Sequence, residues 1–210
     1  MDYAQYKKLE FRRAFWVVAG AKITVQDPAS HAVLGFIKMK AWKLKEDIRL
    51  FTDESMQHEV FRIHARNIID FAGTYDVIDS ATAQPLFAWR RKGLKSTFVR
   101  DHWDLLDAQG AVTGSIQETS SGLALARRWV GLIPIIGEFI DLGLAFAPQT
   151  YRMTSFHAGN ESLVGTITHH KNPFLVKMTL DTTEAQTPAD PRIAVSATAL
   201  LSTIDASKNN

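Results

Sequence analysis

The sequence predicts a mainly β protein: an antiparallel barrel of about 11–12 strands enclosing an apolar C-terminal helix, with a helical insertion near residues 122–148. Three observations predict it. Aspartates that end short apolar runs recur at Asp27, Asp53, Asp79 and Asp107, at spacings of 26, 26 and 28 residues. Apolar and polar residues alternate through those runs, as they do in strands with one buried face. From Ile193 to Ile204 there is no charged residue at all, so a helix there is apolar on every side and belongs inside something.

Each aspartate is followed by a polar turn and a second apolar run. The units read as strands at 23–27 and 33–39, 48–53 and 60–63, 75–79 and 86–89, and 103–107 and 112–116. An aspartate at a strand end bonds to the backbone of its own turn, which suits a hairpin corner. The second unit is one residue out of phase, a difference that a β-bulge would absorb. Counting from each aspartate puts Ile37, Ile63, Trp89 and Ile116 at equivalent inward positions. A fifth hairpin follows at 151–156 and 163–167, and a last strand at 174–180. Many short strands at even spacing argue for a closed barrel.

Asp190 and Pro191 are an N-cap and first-turn pair. They open a helix over 191–205, about 18 Å of apolar rod across its uncharged core and well short of a bilayer. Residues 206–210 read as a disordered tail, and 1–210 as a single domain. The insertion at 122–148 is the most apolar stretch, but Arg127, Arg128, Pro134, Glu138 and Asp141 interrupt it, leaving nine uncharged residues from Trp129 to Gly137. A spanning helix wants about 20. It reads either as short helices packed on the domain or as an apolar hairpin that meets a membrane or a partner. In the second case Trp129, Leu132, Ile135, Ile136 and Phe139 make the contact.

Composition narrows the function. The net charge of +2 gives no whole-molecule field for nucleic acid, so no nucleic-acid partner is expected. The absence of cysteine excludes disulfides, a thiolate metal site, a Cys nucleophile and cysteine palmitoylation. The polar start, Met1 to Tyr6, is no signal peptide, and the expected compartment is the cytoplasm. The seven histidines form no ligand pair, and His169 and His170 point to opposite faces of any strand that holds them. There is no nucleophile elbow and no phosphate-binding glycine loop. The sequence therefore predicts no enzyme, no cofactor and no metal.

Basic clusters beside tryptophan are the better candidates. Lys38, Lys40 and Lys43 surround Trp42, with Lys45 beyond. Arg90, Arg91 and Lys92 follow Trp89. Cations next to indole rings suit a phosphate-rich membrane surface. The same charges also blunt strand edges and keep them soluble. If the hairpins succeed one another with one polarity, the ends of the first and third units share a rim, where the six cations would meet anionic lipid.

A barrel of hairpins closed by an apolar C-terminal helix resembles the tubby C-terminal-like superfamily, in its LURP-one-related and phospholipid scramblase-like branch. The resemblance rests on strands ending in aspartate at 22–27 and 73–79. It rests also on Leu163-Val164-Gly165-Thr166-Ile167 leading to Lys171, and on Asp190-Pro191-Arg192 before the helix that ends at Ile204-Asp205. The branch's scramblases carry palmitoylated cysteines and an acidic calcium-binding stretch. This chain has no cysteine, and only Asp181, Glu184 and Asp190 precede its helix. The resemblance implies a non-enzymatic cytoplasmic module, peripheral at the membrane, that holds anionic phospholipid headgroups on a basic rim. The alternatives are a structural or protein-interaction barrel with no lipid role, and scramblase-like lipid translocation using residues 122–148.

Overall fold

Strands form where apolar residues alternate with polar ones. The computed structural model describes residues 3–14, 22–39, 47–66, 73–92, 101–119, 148–157, 159–171 and 175–208. Their strands are β1 (Lys8–Ala14), β2 (Lys22–Gln26), β3 (Val33–Met39), β4 (Asp47–Phe51), β5 (Glu59–Ala65) and β6 (Thr74–Asp79). They continue as β7 (Pro85–Arg91), β8 (His102–Leu106), β9 (Val112–Glu118), β10 (Gln149–His157), β11 (Asn160–His170) and β12 (Leu175–Asp181). Each strand pairs antiparallel with its sequence neighbours, and β1 pairs with β12 to close the barrel. Ile37, Ile63, Trp89 and Ile116 are all buried in the core, as the aspartate register requires.

Strand β1 is the element that sequence reasoning did not place. Four of its seven residues are charged, and Arg13 takes an inward position beside Leu9 and Phe11 at only 5% exposure. That arginine hides the alternation. The strand nevertheless completes the cylinder through seven pairs with β12 and three with β2.

The turn aspartates do what their position predicts. Asp27 accepts from the Ala29 and Ser30 N–H groups, Asp79 from Ala81 and Thr82, and Asp107 from Gln109 and Ala111. Their own N–H groups close the turns onto Ala32, Gln84 and Ala111. In the second hairpin Thr52 makes that closing bond, to His58, and Asp53 sits one residue further in, accepting from Ser55. Register shifts occur in all four hairpins, including Leu50/Phe51. The phase difference therefore comes from a longer turn, and not from a bulge peculiar to that unit.

These bonds predict acid sensitivity. Hydrogen bonds from the Ser30 and Ser55 hydroxyls hold Asp27 and Asp53 below the ordinary carboxylate range, and backbone bonds led by Thr82 do the same for Asp79. Depressed folded-state values stabilise above the ordinary pKa of about 3.9, and the stabilisation is lost as pH falls through the folded values. The melting temperature is expected to fall most steeply below about pH 4. Melts that do not change down to pH 3 would contradict this assignment.

The helix α1 (Pro191–Lys208) lies inside the barrel. Every residue from Ala194 to Ile204 is buried, so no face is left for solvent. Asp190 caps it through the Arg192 N–H at 2.9 Å, and Arg192 reaches Asp79 on β6 at 2.7 Å. Trp89 on β7 donates its ring N–H to Ser196 at 3.1 Å, and His169 on β11 lies 3.1 Å from Asp205. Small hydroxyl residues fit here because Thr198 and Thr203 donate back to the Ala194 and Ala199 carbonyls. The helix runs to Lys208, three residues past the expected end, so the tail expected from residue 206 is helical that far.

Ser196→Ala should cost about 1–3 kcal/mol in denaturant unfolding, because it leaves the fully buried Trp89 N–H without a partner. A neutral substitution would remove that bond from the account.

Candidate functional site

The barrel topology creates two unlike rims. Short turns join β2 to β3, β4 to β5, β6 to β7, β8 to β9 and β10 to β11 at one end, where the chain also passes from β12 to α1. The other end carries the connections 15–21, 40–46, 66–73, 92–101, 119–148 and 171–174, of seven residues or more in all but the last. The expected sharing of one rim by the outgoing ends of β3 and β7 follows directly, since both strands end on the rim of long connections.

Of the six residues expected to meet lipid, Lys38, Arg90, Arg91 and Lys92 are described, while Lys40 and Lys43 lie outside the described residues. So do Trp129, Leu132, Ile135, Ile136 and Phe139 of the insertion. The four described cations form two separate groups, because β4, β5 and β6 stand between β3 and β7.

The β7 group is paired. Arg90 and Lys92 each lie 2.9 Å from Asp104, which is 2% exposed, and Arg91 lies 3.0 Å from Asp101. The Arg91 guanidinium also stacks over the Trp103 ring, 5.6 Å from its centroid. Burial works to raise the Asp104 carboxyl, but hydrogen bonds from Arg90 and Lys92 outweigh it, and its pKa lies below the ordinary value. Each of the three cations is held by one of the two carboxylates.

Lys38 belongs to a different arrangement. Strand register places Lys22 on β2 opposite Lys38 on β3, Lys38 opposite Arg49 on β4, and Arg49 opposite Arg62 on β5. Four cations thus stand side by side on the outer wall across four strands, roughly 14 Å from end to end at the usual strand spacing. Like charges directly opposite each other destabilise a sheet. Some of the repulsion is relieved locally. Lys22 pairs with Glu54 and sits over the Phe36 ring, 4.4 Å from its centroid. Asp47 grips Arg49 through Nε and Nη2 at 2.9 Å each, and Glu59 lies 3.3 Å away. Lys38 and Arg62 have no acidic partner among the described residues.

A cleft of about 220 Å³ opens in this row, lined by Lys38, Asp47, Arg49 and Phe51. The Lys ammonium is a mobile point charge, and the Arg guanidinium is a planar fork that matches phosphate oxygens. The arrangement suits an anion bearing phosphate, with Asp47 holding the Arg49 fork until a stronger acceptor displaces it. It has no nucleophile paired with a base.

Sequence reasoning found Lys38 and missed Lys22, Arg49 and Arg62. Each of these is a polar residue beside apolar neighbours, which marks an outward position. Their lateral alignment depends on register between strands, and the sequence pattern does not carry it.

A family model described as LURP-one-related matches residues 33–184. No curated protein and no solved structure gives a significant match.

Proposed function

The chain belongs to the LURP-one-related family, within the tubby-like C-terminal superfamily, and from that premise we propose that it is a non-enzymatic module of the cytoplasmic membrane surface. In this reading anionic phospholipid headgroups are held on the wall row Lys22, Lys38, Arg49 and Arg62. The observation that carries the reading is the register itself. The row's four cations meet three carboxylates, Glu54 at Lys22 and Asp47 and Glu59 at Arg49, so its net charge of 4 − 3 = +1 equals that of the β7 group; what sets the row apart is that Lys38 and Arg62 face no acid among the described residues. An external anion would pair with these two.

The two rims support one orientation. The connections that leave the rim of long loops contain Trp16, Trp42 and Trp129, three of the five tryptophans, together with ten Lys or Arg against five Asp or Glu (Glu46, Asp70, Asp101, Glu138 and Asp141). The opposite rim carries Asp27, Asp53, Glu54, Asp79, Asp107 and Glu184 in its turns. An anionic leaflet attracts basic segments and repels acidic ones within a Debye length. The long-loop rim therefore turns toward the membrane, with the wall row beginning at its edge. Arg90, Arg91 and Lys92 lie on the same rim but offer no unpaired cation, because each is held by Asp101 or Asp104.

Vesicle sedimentation tests the proposal. Binding is expected to phosphatidylcholine vesicles that contain phosphatidylserine, to weaken as salt rises, and to vanish on phosphatidylcholine alone. Equal sedimentation with both vesicles, or with neither, would overturn it and leave a barrel that serves protein contacts.

A further inference from the structure

The cleft of about 220 Å³ in the wall row is lined by charges of both signs: Lys38 and Arg49 are cations, Asp47 is an anion, and Phe51 forms an apolar side. Strand geometry fixes their layout. Asp47, Arg49 and Phe51 are alternate residues of β4, so they share the outer face, roughly 7 Å from each to the next. Lys38 stands directly opposite Arg49 on β3, about 5 Å away across the strand gap. The cleft thus presents two cations side by side and one carboxylate next along the strand.

Arg49 keeps donors in reserve. Of the five N–H donors on a guanidinium, the one at Nε and one at Nη2 go to Asp47, and one at Nη1 goes to Glu59. Two are left uncommitted among the described residues. Lys38 is exposed and has no acidic partner among them either. An acceptor that takes the fork from Asp47 deprives that carboxylate of its guanidinium, and Asp47 is only 16% exposed. A largely buried carboxylate that loses its cation is destabilised. A plain phosphate makes matters worse, since it adds a second negative charge beside the first. A ligand with its own ammonium repairs the loss: the ammonium replaces the guanidinium at Asp47, while two anionic groups take Lys38 and Arg49.

We infer that the cleft selects a phosphodiester headgroup that also bears an ammonium and a carboxylate, the phosphoserine headgroup, and that Asp47 reads the ammonium. The two negative groups and one positive group of that ligand meet the two cations and one anion of the lining. Two carbons separate its ester oxygen from both the ammonium and the carboxylate, which keeps all three charges within one cleft, and Phe51 faces the hydrocarbon side. The inference rests on the reading of the wall row as a headgroup site.

The test compares phosphatidylcholine vesicles that contain the same fraction of phosphatidylserine or of phosphatidylglycerol. Each of these lipids carries one net negative charge, so surface attraction alone gives equal binding. The wild type is expected to prefer the serine vesicles about tenfold, the worth of one charged hydrogen bond. Asp47→Asn, shown by melting to be folded, should bind the glycerol vesicles more tightly than the wild type does and show no preference. In proton–nitrogen NMR of the wild type, soluble glycerophosphoserine should shift the amide signals of Lys38, Asp47, Arg49 and Phe51 saturably, and glycerophosphoglycerol should need about tenfold more. Equal binding of the wild type to the two vesicles, a preference that survives Asp47→Asn, or glycerophosphoserine shifts confined to other parts of the barrel would overturn the inference and leave the lipid reading standing. No binding of the wild type to either anionic vesicle would overturn both.

Discussion

Leu200→Asp is expected to leave no folded barrel. Leu200 is 1% exposed, and its neighbours from Ala194 to Ile204 are buried on every side of α1. A carboxylate there has no cation within the enclosed helix to answer it. An unpaired buried charge costs about 3–5 kcal/mol, against a total stability of about 5–15 kcal/mol for a protein of ordinary stability. The loss of packing around the leucine adds about 2–5 kcal/mol more. Truncation before Pro191 should be at least as severe. It empties the barrel of its central rod, leaves Trp89 without Ser196, and takes Arg192 from Asp79. The measurement is thermal melting by circular dichroism together with solubility. A soluble variant that melts cooperatively would show that the strands close without the helix.

The second large effect is on membrane binding. Lys38→Glu with Arg62→Glu reverses the two members of the row that lack an acidic partner among the described residues. Each Lys or Arg near an anionic surface contributes about 1 kcal/mol. Two reversals remove two attractions and add two repulsions, about 4 kcal/mol in all, close to a thousandfold in affinity at low salt. The side chains are outward, so the fold should survive. Alanine at Arg90, Arg91 and Lys92 should behave in the opposite way. It strips the buried Asp104 of both lysine and arginine partners, leaving only His102 at 3.3 Å among the described residues. Stability should fall by about 3–5 kcal/mol, with a smaller effect on binding than the double reversal. Comparable losses of binding in the two variants, once each is shown to be folded, would return the β7 cluster to the centre of the site.

The hairpin units were legible because two signals coincide in each: period-two alternation and an aspartate whose side chain completes the turn. The helix was legible because an uncharged stretch from Ile193 to Ile204 can only be buried. Strand β1 was not legible, since Arg13 points inward where an apolar residue is expected, and Glu10 is buried on the outer wall against Gln26 at 3.0 Å and Lys177 at 2.5 Å. The cluster at Arg90, Arg91 and Lys92 was visible as a run of charge, but its capture by Asp101 and Asp104 depends on the pairing of β7 with β8. The wall row was invisible for the same reason. Its members are spread from residue 22 to residue 62, and only register brings them together.

The most direct test of the membrane reading is NMR mapping with a short-chain phosphatidylserine below its micelle threshold. The account predicts the largest saturable shifts at Lys22, Lys38, Arg49 and Arg62, their weakening with salt, and their loss in the Lys38→Glu/Arg62→Glu variant. Shifts confined to other parts of the barrel, or none at a concentration that saturates vesicle binding, would contradict it.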